Sequence, residues 1–230
     1  GKLSRGLGDV YKRQDKYLST FGYLSIGVPG TVAGLWEVHK QFGSLPWSAL
    51  IEDAINYAEN GFYMTDYMAD VLYKYNEKMS YFPETKKIFQ KDYPNFRNKK
   101  LFQKDLGKTL RVISLNGRDG FYKGEVAKKI TDQMQLNGGL IQSADLENYN
   151  PVWREPIISS YRDNKIITMG PPSSGGIHII QMLNILENYD LNELGHNSTD
   201  YINLLTEVMK HAYADRSKYL GDPDFFDVPI

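Results

Sequence analysis

Only one stretch of this 230-residue chain reads as paired β-strands, and a two-stranded ribbon is marginal in water without more strands or a covering helix. Glu155–Tyr161 and Lys165–Met169 are rich in isoleucine and flank Arg162-Asp163-Asn164, a hairpin turn by composition. Helical periodicity resumes at Gly175–Asn188 and Ser198–Leu220. Few other segments carry strand signals. The hairpin's sheet partners are therefore expected outside this chain, and the fold as given is expected to be incomplete.

Upstream of Pro151 the chain is punctuated into helices. Val28-Pro29-Gly30 precedes a predicted helix from Thr31 to Phe42, with Val32, Leu35, Trp36 and Phe42 on its apolar face and Gly43 as a left-handed cap. Pro46 opens a helix to Asn60 whose buried stripe reads Leu50, Ile51, Ala54, Ile55 and Ala58, closed by Gly61. Thr65 is placed to cap a helix reaching Phe82, with Asp66 and Asp70 near its positive end. Pro83 begins a short helical turn, and Pro94–Lys100 reads as a polar loop. Asp105–Asn116 and Gly124–Leu136 are predicted helices that each run into glycine, and Ser143 is expected to cap a short helix through Asn148. Three regions result: a leader of non-native or disordered character (1–14), a helical region (15–150) and a hairpin with helices (151–230). Both termini read as cuts.

Composition narrows the function classes. Hydrophobic residues at 41% and aromatic residues at 13% mark a globular chain. Twenty-seven basic against 28 acidic side chains give no overall attraction to nucleic acid or to an anionic membrane. Without cysteine there is no disulfide, thiolate metal site or cysteine nucleophile. No apolar run approaches the ~20 residues that span a bilayer.

The segment Gly170-Pro171-Pro172-Ser173-Ser174-Gly175-Gly176 is a strand-to-helix turn with two readings. Serine hydroxyls and glycine amides at a helix start can hold an anion or carboxylate. The same residues make a rigid turn, with a serine cap and glycines that allow close helix–sheet packing. A phosphate-loop lysine and the spacing of a serine-nucleophile elbow are both absent. His211 and Asp215 stand four apart beside Arg216, spacing that serves a metal, acid–base chemistry or a plain helix contact. Asp222, Asp224 and Asp227 lack the twelve-residue calcium-loop pattern and read as a solvated turn. His39, His178 and His196 share no ligand spacing. Tyr57, Tyr63, Tyr67, Tyr73 and Tyr75 read as core or boundary residues, and Asn197-Ser198-Thr199 is a glycosylation sequon without further support. The residues alone describe a mostly helical domain leading into part of a sheet, with no assembled active site.

Three segments carry a resemblance beyond that reading. Ser25-Ile26-Gly27-Val28-Pro29-Gly30-Thr31-Val32-Ala33-Gly34 resembles a signature of the γ-glutamyltransferase family. Gly170–His178 with Asn184-Ile185-Leu186-Glu187-Asn188 resembles a second. Tyr213-Ala214-Asp215-Arg216-Ser217 with Tyr219–Phe225 resembles a third. Their order, with Gly138-Gly139-Leu140-Ile141 between them, is similar to the family's large subunit from about Gly22 to Pro229.

This resemblance implies an α+β chain: an incomplete, mostly helical portion of the αββα sandwich of N-terminal-nucleophile hydrolases. It implies a precursor that cuts itself and exposes a threonine whose own amine serves as base. That threonine would take the γ-glutamyl group of glutathione or a related amide and pass it to water, an amino acid or a peptide, with no cofactor and no metal. The nucleophile is expected beyond Ile230, in the small subunit that partners this chain. The arginine that pairs with the substrate carboxylate is expected upstream, in the part replaced here by Gly1–Gln14. The chain itself thus carries no catalytic residue and is expected to be inactive alone. Ser173, Ser174, Gly175 and Gly176 are retained as structural support near the sheet. A periplasmic or extracellular location follows from the family. Two further readings stay open: an amidase of the same fold, similar to cephalosporin acylases, and a non-catalytic helical binding module.

Overall fold

A computed structural model of the protein describes residues 18–229; the leader 1–14 lies outside the described residues. The described residues divide into two compact units, residues 23–151 and residues 152–229 with 18–22.

The first unit begins with a 3₁₀ turn and continues through α1 (Thr31–Phe42), α2 (Trp47–Asn60), β1 (Phe62–Tyr63), α3 (Asp66–Lys74), α4 (Asn76–Ser80) and α5 (Pro83–Phe89). It ends with β2 (Lys100–Leu101), α6 (Lys104–Asn116), α7 (Asp119–Tyr122), α8 (Gly124–Leu136) and α9 (Ser143–Glu147). Helices α2 and α6 form its tightest pair. Gly107 lets them approach, since a Cβ there would lie 2.5 Å from Glu59 Cγ. The Trp47 indole donates to the Ile113 carbonyl at 3.0 Å. Arg111 donates to both Glu59 oxygens, at 2.6 and 2.5 Å. One core gathers Ala33, Tyr122, Ala127, Met134, Ile141 and Leu146. A second gathers Met64, Ala69, Leu72, Phe96 and Leu101 under the antiparallel pair β1–β2.

Several sequence expectations are corrected here. The α1 face turns on Ala33 and Trp36, leaving Leu35 and Phe42 56% and 66% exposed. The reason is that Trp36 packs edge-on against Trp47 and covers Gly117, which rotates the helix away from its larger aliphatic residues. Along α2, Ile55 and Ala58 are buried but Leu50 stays 53% exposed, because α6 meets a narrow line of the helix. Gly43 is extended (φ −68°) rather than left-handed. It is glycine because the His39 ring and carbonyl occupy the space a Cβ would take, while His39 Nε2 bonds Leu45 O at 2.8 Å. The helix capped by Thr65 ends at Lys74 and restarts at Asn76, since Tyr75 leaves helical geometry at φ −100°, ψ 10°. Asp66 and Asp70 there face Arg97. Gln142, not Ser143, caps α9, in a reciprocal capping box with Asp145.

The second unit holds β3 (Ile157–Tyr161), β4 (Asn164–Thr168), α10 (Ser174–Leu186), α11 (Leu191–Leu194) and α12 (Thr199–Tyr219). Arg162 and Asp163 both take positive φ (45° and 64°), which makes a two-residue turn whose twist matches the strands. Asn164 therefore belongs to β4, in register with Tyr161. The turn is fastened by Glu187, which accepts from the Arg162 amide at 2.7 Å, and by the Tyr189 carbonyl, which accepts from its guanidinium at 2.9 Å. Helix α10 packs on the hairpin and α12 packs on α10. The cross-strand pair Ile158 and Ile167 lies on the opposite face and is exposed.

Candidate functional site

The turn from β4 into α10 is built by its own side chains. Ser173 is the N-cap, its hydroxyl accepting from the Gly175 amide at 3.3 Å. Ser174 opens the helix. Gly176 is buried against β4: a Cβ would collide with the Met169 carbonyl and lie 2.8 Å from Thr168 Oγ1. Gly175 is different, for a Cβ there would make only an ordinary contact, 3.6 Å from Ser173 Oγ. The four residues thus differ in what they do. Ser173 caps, Gly176 allows the helix to touch the strand, and Ser174 and Gly175 border a small cleft.

One turn further, a polar line joins α10 to α12. Gln181 Nε2 donates to Asp215 Oδ2 at 2.5 Å, and His178 Nδ1 lies 3.2 Å from Gln181 Oε1. With the Gln181 nitrogen turned to the carboxylate, its oxygen accepts and His178 Nδ1 donates, which leaves Nε2 as the ring's other polar atom. That Nε2 is buried with no hydrogen-bond partner among the described residues, as is Arg216 Nε. His178 borders two clefts. One of about 510 Å³ has Gln181, Asp215, Ile185, Leu220 and Val228 in its wall. The other, of about 270 Å³, has Ser174, Met182, Tyr213 and Arg216.

The pair read from spacing is not assembled. Asp215 turns to Gln181, while His211 is exposed on α12. Arg216 lies over the Tyr213 ring, 5.8 Å from its centroid. In the acidic loop Asp222 accepts from the Asp224 amide at 3.0 Å, and Asp224 pairs with Arg154 at 2.8 Å. Among the described residues no group of three or more His, Cys, Asp or Glu side chains is placed to hold a metal ion. His39 packs between Trp36 and Trp47, and His196 against Tyr201.

The segment Ser25–Gly34 is held in the other unit by residues that sequence reading did not single out. The Tyr122 hydroxyl donates to the Pro29 carbonyl at 2.5 Å and accepts from the Ala33 amide at 3.3 Å. Tyr149 stacks on Tyr122 with centroids 5.7 Å apart, and its hydroxyl occupies the space a Cβ on Gly30 would need. Arg118 lies over the Tyr122 ring and donates to the carbonyls of Glu147 (2.9 Å) and Tyr149 (2.6 Å). Burial pushes the Tyr122 phenol above its ordinary value, so it stays a neutral donor. The partners are 89 and 93 residues apart in sequence, and no local pattern signals such a contact.

The Ser173 hydroxyl at the α10 turn is used for capping. This local architecture has close relatives. The sequence model described as Gamma-glutamyltranspeptidase matches residues 8–230. The Glutathione hydrolase proenzyme of Escherichia coli (strain K12) is 44% identical over 217 residues, which cover 94% of this chain and 37% of that protein. The Acylase ACY 1 proenzyme of Pseudomonas sp. (strain SE83) is 39% identical over 229 residues, covering 99% of this chain and 41% of that protein. The crystal structure of Helicobacter pylori gamma-Glutamyltranspeptidase superposes with a TM-score of 0.89 at 46% identity, covering 92% of this chain and 61% of that one. The chain spans about two fifths of the length of these curated relatives. Its mostly helical body with few strands is part of an N-terminal-nucleophile hydrolase fold. On the match that runs from residue 8 to residue 230, this chain belongs to the gamma-glutamyltranspeptidase family.

Proposed function

We propose that the parent protein transfers the γ-glutamyl group of glutathione or a related γ-glutamyl amide to water, an amino acid or a peptide. The observation that carries this reading is 44% identity to a glutathione hydrolase proenzyme over 94% of the chain. In this mechanism the hydroxyl of an N-terminal threonine, supplied by sequence that follows Ile230, attacks the γ-carbonyl carbon. Its proton passes to the threonine's own amine. The tetrahedral oxyanion is held by preorganised donors, and the C–N bond breaks as the leaving amine takes that proton. Water or an acceptor amine then attacks the ester and frees the threonine.

The present chain serves as scaffold within the large subunit. Ser173 and Gly176 fix the start of α10 against the sheet, and the small subunit from the same precursor completes the site. No step calls for a metal or organic cofactor, and an exported location suits the family. The test is expression of the gene extended in both directions, with intact masses read beside chromophore release from a γ-glutamyl anilide. Two fragments, one beginning with threonine, together with turnover are expected. An uncut, inactive product overturns the proposal.

A second reading is favoured by the similarity to Acylase ACY 1: an amidase of the same fold acting on a β-lactam side chain. A substrate panel on the full-length protein separates the two.

A further inference from the structure

The near-neutral total charge conceals an uneven distribution. Residues 83–108 carry eight lysines and arginines against three acidic side chains, in a chain whose net charge is −1. The fold gathers this excess around one cleft of about 650 Å³ in the first unit. Lys87, Lys91, Lys99, Lys100 and Lys104 stand on its wall, with only Asp92 and Asp105 opposing them. Asp105 is already engaged by Lys108 at 2.9 Å, and Lys87 and Lys129 add to the positive field that holds its carboxyl below the ordinary range. Arg97, the one arginine of the segment, is paired with Asp70. Lys87 has Glu84 at 3.7 Å on the open surface, and Lys100 lies over the Tyr63 ring. Lys91, Lys99 and Lys104 have no carboxylate partner among the described residues. A bound polyanion would neutralise this local excess of positive charge.

The floor is apolar. Phe96 and Leu101 are buried there, and Phe102 is 46% exposed beside them. Strand β2 runs along the cleft and pairs only with β1 among the described residues, which leaves an edge for an extended main chain. We propose that this cleft binds an acidic peptide, its carboxylates on the lysines and its apolar side chains against Phe102. A nucleic acid fits less well, because no arginine fork that could grip phosphate stands in the lining among the described residues, and the lining offers aliphatic as well as aromatic side chains. The inference is independent of the transferase reading.

The test is fluorescence anisotropy of a short labelled peptide of alternating glutamate and leucine, titrated with the 230-residue chain at low salt. Binding is expected, weakening as salt is raised. K91E/K99E/K104E is expected to lower affinity about tenfold, on the scale of three screened ion pairs. The charge-matched control K128E/K165E/K210E, outside the lining, is expected to change it by less than about twofold. F102A should weaken binding with its salt dependence unchanged, and a glutamine–leucine peptide should not bind. If the reversal variant loses its helical circular dichroism, K91Q/K99Q/K104Q is read instead, with a loss of about threefold expected. Equal losses in both triple variants would reduce the effect to overall charge and overturn the site. No binding by the folded chain overturns it too, and oligothymidylate binding as tightly as the peptide overturns the peptide assignment.

Discussion

The two units hold their signature segments in different ways. In residues 23–151 the turn at Pro29 is fixed from a distance: Tyr122 contributes a hydroxyl to both sides of it, Tyr149 backs it, and Arg118 ties both tyrosines to the loop after α9. In residues 152–229 the turn at Ser173 is fixed locally, by a cap two residues away and by helix backbone lying directly on strand backbone. The first arrangement uses up nearly all of its polar capacity, with Arg118 Nε the exception. The second leaves His178 Nε2 and Arg216 Nε buried and unpartnered beside open clefts. The difference separates a turn anchored by side chains far away in sequence from one anchored by its own cap and backbone.

The largest effect should come from the local contact, because backbone cannot yield as a side chain can. Gly176→Val puts a branched Cβ into the space of the Met169 carbonyl and is expected to cost about 3 kcal/mol or more. Gly175→Ala, one residue earlier, meets only Ser173 Oγ at van der Waals distance and is expected to change stability by less than about 1 kcal/mol. Urea unfolding of the chain checks both, and equal losses would show that the turn as a whole, rather than the contact at residue 176, is what matters. Tyr122→Phe tests the distant anchor. It leaves the Ala33 amide and the Pro29 carbonyl without their partner and is expected to cost about 2 kcal/mol. Burial raises the Tyr122 pKa in the folded protein, so this contribution is full below the unfolded value of about 10 and is lost as pH rises through the folded one. Wild type should therefore lose its advantage over Tyr122→Phe in alkali, and an advantage that persists there would mean that the hydroxyl's bonds are not its source.

Element identity was readable in the sequence because Gly, Pro and Thr punctuation acts within a few residues. Pro83 opens α5, Thr65 caps α3, and Gly61, Gly117 and Gly138 all follow helices with positive φ. Faces were less readable. Leu50, Leu35 and Phe42 have the right period for a core, yet the packing of Trp36 and the narrow α2–α6 contact decide which residues are covered. The least readable features were single polar residues acting over long separations, Tyr122 on Pro29 and Gln181 on Asp215, since nothing adjacent to either partner encodes the encounter. The spacing of His211 and Asp215 was a real helical proximity, but Gln181 on a neighbouring helix takes the carboxylate. The turn Gly170–Gly176 was legible as a cap with close packing, although which glycine makes the contact depends on where α10 meets Met169.

The smallest effect should come from the most conspicuous ion pair. Arg111 grips Glu59 with two hydrogen bonds across α2 and α6, and those bonds hold the Glu59 carboxyl below its ordinary value. A depressed carboxylate adds stability that is present above its unfolded pKa, about 4.3, and lost as pH falls through the lower folded value. Glu59→Gln should therefore be slightly less stable than wild type at neutral pH and should converge with it in acid, as read from urea midpoints at pH 7 and near pH 3. The gap should also shrink in high salt, since both side chains are open to solvent and such pairs are screened. The stem of Glu59 also packs where Gly107 brings the helices together, so packing survives when the charge is removed. A Glu59→Gln loss as large as that of Tyr122→Phe would reverse the ranking. The first unit would then be held by its surface charges, and the distant buried anchor would no longer be what distinguishes it from the second.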